Sequence, residues 1–330
     1  MTKKARIVGM ASYLPEKRLT NEDLMQLVET SNEWITSRTG IQERRIAKEG
    51  EGSAFLGSKA ALKLLQEKAI DPASIDIILV ATMTPDYLAP SNAAIIQALI
   101  KATNAAAVDF QAACTGFLYG LSLAKAYIES GMYKQVLLIA TEKMSAFVDY
   151  TDRNTCVLFG DGASACLVVG EGEGLSIDSI SLGADGENPE IAWVPAGGSI
   201  RPTSVETIEK RQHFFQMQGK ELFKHAVRRM VEASSTCLID MGIKETDLSC
   251  IIPHQANARI LDAFAKSFKI DSARVYRTIH KYGNTSASSV AIALDELIRE
   301  KELVEGELLL LVAFGAGLTW GASILKKVNQ

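Results

Sequence analysis

At 330 residues, with 47% hydrophobic and 22% charged side chains, the chain is long enough for one large domain or two similar halves, and its composition is that of an ordinary folded globular protein. A formal net charge of -4 excludes a dedicated nucleic-acid binder, which needs a basic face against phosphate, so any anionic partner must meet a local basic patch. Cysteines number 5 with no CxxC pair, which argues against a disulfide framework or a recognisable zinc site and suits a reducing cytoplasm.

Along the chain, the opening residues and the short run 5–13 lack the apolar core and cleavage signal of a secretory peptide, so export is not expected. No stretch reaches the length of a transmembrane helix; the most apolar run, 308–314, has the length of a strand. A helical pattern over 53–69 places Ala54, Leu56, Ala61 and Leu65 on or near one face and stops at Asp71-Pro72. Strand-like runs follow at 75–81, 136–140 and 163–169, with an apolar helix pattern from Phe117 to Ile128 between the first two. Alternation of this kind predicts an α/β layered fold.

The second half repeats the order. Residues 248–252 read like 75–80 and 308–312 like 136–140, at a common offset of about 172 positions, too long for a solenoid period and suited to a duplicated domain. Any two α/β units look alike at this level, but the shared offset favours duplication. Gly321-Ala322-Ser323 echoes Gly162-Ala163-Ser164 at a shorter offset, so extra residues lie in the first half, and 142–156 reads as an inserted loop of the kind that covers a site. The glycine run at 170–174 breaks the pattern and divides the chain into halves 1–172 and 173–330, while 185–207, rich in Gly, Pro and Ser, reads as a surface excursion.

Cys114 precedes the helix of Phe117, Leu118, Leu121 and Ala124, where free N–H groups and the positive end of the macrodipole favour thiolate over thiol. By itself it can equally be a small buried hydrophobe; the other four cysteines lie in or beside apolar runs and read that way. His254 follows the run 248–252, at a strand end, where α/β folds build sites; a structural histidine is as good a reading there. Asn284 stands before the helix of Val290, Ala291, Leu294 and Leu297, and taken locally it reads as a cap or turn residue. The turn Phe314-Gly315-Ala316-Gly317 follows a strand and lets backbone approach a ligand and aim N–H groups at an oxyanion.

Seven pieces taken together, in order, span essentially the whole chain: Asn32-Glu33-Trp34-Ile35, Arg38-Thr39-Gly40-Ile41, Ala113-Cys114-Thr115-Gly116, Phe159-Gly160-Asp161-Gly162, Pro253-His254-Gln255-Ala256-Asn257, Gly283-Asn284-Thr285-Ser286 and Phe314-Gly315-Ala316-Gly317. They resemble the 3-oxoacyl-acyl-carrier-protein synthase III family, the initiating ketosynthases of bacterial type II fatty-acid synthesis. The resemblance implies a thiolase-like fold of two duplicated α/β halves in five layers, α-β-α-β-α. It implies a cytoplasmic homodimer that condenses acyl-coenzyme A, with acetyl the expected primer, and malonyl carrier protein, without cofactor or metal and without membrane or nucleic acid as partner.

On the same resemblance Cys114 carries the acyl group, while His254 and Asn284 hold the malonyl thioester as carbon dioxide leaves. The backbone N–H groups of Cys114 and Ala316 form an oxyanion hole and Phe314 presses on the malonyl carboxylate. The family usually has Gly at the position of Ala316, a difference that matters only if positive φ is needed there. Thr30, Trp34, Arg38, Arg153, Phe159, Gly219, Phe223 and Asn257 are implied for coenzyme A, with Trp34 and Arg153 stacking on adenine. Lys224, Ala256, Arg259 and Lys266 are implied for the carrier protein, although each cation can equally be a solvated surface charge. Primer depth is expected to depend on the loop 84–90, where Ala89 stands loosely against a bulkier family residue.

Other readings are narrowed by the same residues. A thiolase carries a second cysteine in the glycine-rich turn, which this chain lacks, and elongating ketosynthases have a second histidine where Asn284 stands. Plant-type polyketide synthases and hydroxymethylglutaryl-coenzyme A synthase share the Cys-His-Asn set. A secondary-metabolite homologue using other primers is the strongest alternative, and a catalytically silent carrier-protein-binding subunit is opposed by retention of all three polar residues.

Overall fold

The computed structural model describes residues 4–329. Its main elements in chain order are Arg6–Tyr13 (β1), Asn32–Thr39 (α1), Ser53–Glu67 (α2), Ile77–Ala81 (β2), Asn92–Leu99 (α3), Ala106–Phe110 (β3) and Gly116–Glu129 (α4). There follow Gln135–Lys143 (β4), Asp161–Val169 (β5), Gly174–Ala184 (β6), Gly219–Met241 (α5), Cys250–Pro253 (β7), Ala258–Ser267 (α6), Ser288–Glu300 (α7), Leu308–Gly315 (β8) and Thr319–Val328 (β9). Nine strands join in the order β7-β8-β9-β6-β1-β5-β4-β2-β3.

Two half-sheets share one strand plan. In the first, β1, β5, β4, β2 and β3 lie side by side; in the second, β6, β9, β8 and β7 follow the same order, and Val275 makes a parallel bridge to Ile251 where β3 pairs with β2 in the first. The two half-sheets meet where β1 pairs with β6, at Arg6↔Ser176 and Ile7↔Leu175. The glycine run at 170–174 forms the connection between β5 and β6.

Side-chain alternation then dictates the layers, because successive residues of a strand face opposite sides. Ile77, Leu79 and Ala81 of β2, Val136, Leu138 and Ala140 of β4, and Leu309, Leu311 and Ala313 of β8 all face one central core with α4 and α7. Ile78, Val80, Leu137 and Ile139 face outward onto α2 and α3. Leu310, Val312 and Phe314 face outward onto α5 and α6. The result is the five-layered arrangement that the resemblance implies. In the middle layer Phe117, Leu118 and Leu121 of α4 are fully buried, each such side chain contributing about 1.5–3 kcal/mol. Gly120 permits this closeness, since a Cβ there would stand 2.4 Å from Leu138 Cδ1.

Several boundaries differ from the sequence reading. The helix expected over 53–69 ends at Glu67, and the strand expected from 75 starts at Ile77, because Asp71 caps a 3-10 turn over Pro72–Ser74 by accepting the Ala73 N–H at 2.9 Å. The inserted loop begins later than 142: Glu142 is a strand residue, paired with Gly162 across β5, and its loss of apolar character does not end β4. The excursion at 185–207 is not free surface chain. It continues to a pair of short strands, Ala192–Trp193 and Gln216–Met217, and Arg211 grips Asp149 of the insertion with both guanidinium arms. Leu24, Ile35, Ile41, Val157, Phe159 and Phe215 gather these segments into one apolar cap.

Candidate active site

Cys114 sits in a 3-10 turn, Ala113–Thr115, that leads directly into α4. Ala113 holds φ at 44°, a left-handed value that costs a non-glycine residue about 1–3 kcal/mol and turns the chain sharply from β3 into the helix. Cys114 is a half-buried residue, whereas Cys156, Cys166 and Cys237 are buried. Desolvation pushes the thiol up to about 12, against the Ser286 hydroxyl and the backbone N–H of Cys114, which favour the ionised form.

The turn after β8 closes against this cysteine. A Cβ on Gly315 would lie 2.8 Å from the Cys114 backbone nitrogen, so the close approach requires glycine. Thr319 Oγ1 locks the two segments, since it lies 2.9 Å from Thr115 Oγ1, 3.1 Å from the Ala112 carbonyl and 3.0 Å from the Ala316 carbonyl. Ala316 is not among the residues at positive φ, whereas Gly317 beside it is, at 136°; alanine is therefore unstrained where the family usually has glycine. Phe314 packs into the outer core of β8 and α5.

His254 leaves the end of β7 with its N–H bonded to the Val312 carbonyl at 2.8 Å, and its ring is buried. Burial holds its pKa down, at about 3, so the imidazole is neutral. Its tautomer follows from its partner. Ser289 Oγ lies 2.5 Å from His254 Nδ1 and also accepts the Gln255 N–H at 3.3 Å; its own proton has no other acceptor among the described residues and is directed at Nδ1. A neutral ring that accepts at Nδ1 carries its proton on Nε2.

Asn284 is set by backbone pairing with the cap: its N–H reaches the Leu158 carbonyl at 2.8 Å and its carbonyl takes the Gly160 N–H at 3.0 Å, while Phe159 bridges to it. Oδ1 accepts the Ser286 N–H at 2.8 Å, which orients the carboxamide and leaves Nδ2 as the free donor. The segments that carry Cys114, Asn284 and, through Ser289, His254 thus approach one another at two helix starts. Gly116 at the head of α4 and Ala287 at the head of α7 are so close that a Cβ on the glycine would lie 3.2 Å from that of the alanine. Two neutral N–H donors suit a developing oxyanion or enolate.

Four residues that sequence reasoning passed over complete the site. Ser289 orients the imidazole. Gln255 is buried with its amide fully used: it donates to the Pro253 and Tyr276 carbonyls and accepts the Thr278 and Ile279 N–H groups, fixing the loop that carries His254. Ser286, at φ 51°, stands beside the Cys114 sulfur and favours its ionised form. Glu142 is fully buried, and the Ser286 hydroxyl donates to it at 3.2 Å. A legible signal for Glu142 was its phase: it continues the Val136, Leu138, Ala140 face that points at α4.

The residues implied for coenzyme A lie at the cap. Trp34 is held in α1 by the Ser31 cap, and Arg38 and Arg153 stand 4.9 and 4.8 Å from its ring centroid. Arg153 also donates to the Glu29 carbonyl at 3.0 Å, and the neighbouring Thr30 hydroxyl has no partner among the described residues. Phe159 is buried edge-to-face on Phe215 at 5.4 Å, and Gly219 begins α5 with half-exposed Phe223 in its first turns. Asn257 spends its Oδ1 on capping α6, accepting the Arg259 N–H at 2.9 Å.

Lys224 on α5 and Arg259 and Lys266 on α6 are exposed on two helices that pack together, with Ala256 half-buried at the base of α6. Lys224 is paired with Glu221 at 2.8 Å. The loop 84–90 is anchored by Asp86, which accepts from Ser53 Oγ and the Ala54 N–H, and it borders a cavity of about 400 Å³ with Ser53, Lys143 and Phe147. A larger cavity of about 830 Å³, lined by Met10, Glu67, Leu175 and Arg299 among others, is lined by none of the site residues above.

Comparison with known proteins identifies the family. Residues 108–186 match the family profile for 3-oxoacyl-[acyl-carrier-protein (ACP)] synthase III, and 238–327 match the profile for its C-terminal part. The beta-ketoacyl-[acyl-carrier-protein] synthase III of Chlamydia trachomatis serovar D is 55% identical over 98% of this chain and 100% of its own length. The crystal structure of 3-oxoacyl-[acyl-carrier-protein] synthase III from Aquifex aeolicus VF5 matches with a TM-score of 0.90 at 43% identity, covering 98% of this chain and 99% of that one. The priming beta-ketosynthase of the R1128 polyketide pathway matches with a TM-score of 0.90 at 33% identity, covering 100% and 98%.

Proposed function

This chain belongs to the 3-oxoacyl-[acyl-carrier-protein] synthase III family and is an acyl-transferring condensing enzyme of fatty-acid synthesis; from that premise we propose how its residues divide the work. Cys114 attacks the carbonyl of an acyl-coenzyme A, with acetyl the primer, and releases coenzyme A as the acyl group moves to sulfur. The backbone N–H groups of Cys114 and Ala316 receive the oxyanion of that step. Malonyl carrier protein then binds with its thioester carbonyl against His254 Nε2–H and Asn284 Nδ2–H. Loss of carbon dioxide leaves an enolate whose charge those donors stabilise, and Phe314 shields the departing carboxylate from water. The enolate attacks the acyl-cysteine and yields 3-oxoacyl carrier protein.

The observation that carries this reading is the meeting of the α4 and α7 heads, which brings Cys114 beside the segment that holds Asn284 and Ser289. A secondary-metabolite role is not favoured: the R1128 priming enzyme is 33% identical, the chlamydial synthase 55%. The reading needs no cofactor beyond the thioester itself. Trp34 with its two arginines, Thr30, Phe159, Gly219, Phe223 and Asn257 make the coenzyme A channel, supported by an aromatic and cationic mouth. Lys224, Ala256, Arg259 and Lys266 dock the acidic carrier protein.

We read the halves 1–172 and 173–330 as repeats, on the strength of their common strand plan. A homodimer is supported by the open edge of β3, where Val108 is 43% exposed, and by Leu88 at 93% exposure in the adjoining loop. Five free cysteines suit a reducing cytoplasm, and among the described residues no helix is long and apolar enough to cross a membrane. The test is intact-mass spectrometry after incubation with acetyl-coenzyme A. One acetyl adduct is expected on the parent protein and none on Cys114→Ser; an adduct located on a different cysteine would overturn the assignment.

A further inference from the structure

Two backbone N–H groups stabilise one developing oxyanion only when their spacing and direction are fixed beforehand. Here they come from segments far apart in the chain: Cys114 belongs to the turn that opens α4, and Ala316 to the turn between β8 and β9. The turns touch at Gly315, where a Cβ would stand 2.8 Å from the Cys114 nitrogen. That contact sets how near the two backbones come, but packing alone does not fix the rotation of either peptide.

Two hydroxyls supply the missing restraint. Thr115 serves its own turn: its N–H and its Oγ1 lie 3.1 and 2.6 Å from the Ala112 carbonyl. Thr319 is common to both turns, since its Oγ1 reaches Thr115 Oγ1 at 2.9 Å, the Ala112 carbonyl at 3.1 Å and the Ala316 carbonyl at 3.0 Å. Its methyl packs on Gly317, where a Cβ would lie 2.9 Å from Thr319 Cγ2, so the side chain has little freedom to turn. The carbonyls it holds are well placed to control the N–H groups. Ala112 precedes Ala113, whose left-handed φ of 44° persists only where the surroundings over-determine it, and Cys114 follows. The Ala316 carbonyl and N–H flank one Cα, and Gly317 beside it, at φ 136°, adds no restraint of its own.

We infer that Thr319 is a positioning residue for acyl transfer: its hydroxyl fixes the Cys114 and Ala316 turns in the relation their N–H groups need to share one oxyanion. The inference rests on the oxyanion-hole reading above. It makes Thr319 specific to one half-reaction, because the malonyl donors are held by other groups. His254 is oriented by Ser289, and Asn284 by the Ser286 N–H and by backbone pairing with Leu158 and Gly160; none of these is a partner of Thr319.

The experiment compares the full-length parent with Thr319→Val, which removes the hydroxyl and keeps the shape, and with Thr319→Ser, which keeps the hydroxyl. Acylation by acetyl-coenzyme A labelled at the carbonyl carbon is timed by rapid quench and intact mass, the carbonyl of the acyl-enzyme is read by difference infrared spectroscopy, and carbon dioxide release from malonyl carrier protein is followed separately. A parent that gains no adduct on Cys114, or one whose carbonyl band sits where a free thioester absorbs, sinks the oxyanion-hole reading itself. With a parent band lowered by hydrogen bonding, Thr319→Val is expected to acylate about 10–100-fold more slowly, to move the band toward the free thioester and to leave carbon dioxide release within about threefold. Thr319→Ser should restore both rate and band. Acylation by folded Thr319→Val within about threefold of the parent, an unmoved band, or an equal loss of carbon dioxide release overturns the inference; where the valine variant does not fold, Thr319→Ala is read by the same criteria.

Discussion

Ser289 Oγ lies 2.5 Å from His254 Nδ1 while the same oxygen accepts the Gln255 N–H, so a single buried hydroxyl decides which imidazole nitrogen carries the proton. A residue of α7, remote in sequence from the histidine, thereby turns a proton-accepting ring into a donor at Nε2.

Removing that hydroxyl should injure one half-reaction. Ser289→Ala leaves Nδ1 without its donor and frees the ring to change tautomer; leaving such a buried acceptor unsatisfied costs about 1–3 kcal/mol, or roughly 5–150-fold in rate. Malonyl decarboxylation should fall by that factor with Cys114 acylation unchanged. Equal slowing of both steps, in parallel rapid-quench assays, would contradict the tautomer argument.

The two donors should separate from the nucleophile. His254→Ala and Asn284→Ala are expected to retain acyl transfer to Cys114 and to lose malonyl decarboxylation by about 100–1000-fold each, the usual effect of deleting an oxyanion donor. Carbon dioxide release from labelled malonyl carrier protein and adduct mass measure the two steps. Loss of both in either variant would show that the division is wrong.

Docking should be graded by ion pairing. Arg259 has no ion pair among the described residues, whereas Lys224 is tied to Glu221. Arg259→Ala should raise KM for malonyl carrier protein several-fold, about 3–10, in a salt-dependent manner, and Lys224→Ala should do so less. KM for free acetyl-coenzyme A should stay constant; parallel changes in both would remove these residues from the docking surface.

Stability should carry two opposed slopes. His254 titrates at about 3 in the fold against an ordinary 6.5, so the unfolded chain binds the extra proton and stability falls as pH drops from 6.5 toward 3. Glu142 is raised from 4.5 to about 7, so its contribution is fully present below 4.5 and is lost as pH rises through about 7. Calorimetric Tm against pH should lose the acid slope in His254→Asn and the neutral slope in Glu142→Gln. Unchanged slopes would mean that neither group is desolvated as described.

Much of the architecture was legible because it is written in short-range pattern. Alternation along 136–140 and 308–312, and the helical spacing of Phe117, Leu118, Leu121 and Ala124, report burial that depends on neighbours only a few residues away. The boundaries that slipped, at Glu67, Ile77 and Lys143, lie where capping or cross-strand pairing overrides local character.

What sequence determined by itself is the layered α/β plan, the cysteine at a helix head and the ordered set of motifs that marks the family. Only tertiary structure decided the desolvation of Cys114, the tautomer of His254, the orientation of the Asn284 carboxamide and the company of Glu142. Those properties depend on desolvation and on hydrogen-bond partners drawn from distant segments, as with Ser289 for His254 and Ser286 for Glu142. A chain read in order records which groups are present, but a proton goes to whichever acceptor the packed fold leaves within reach.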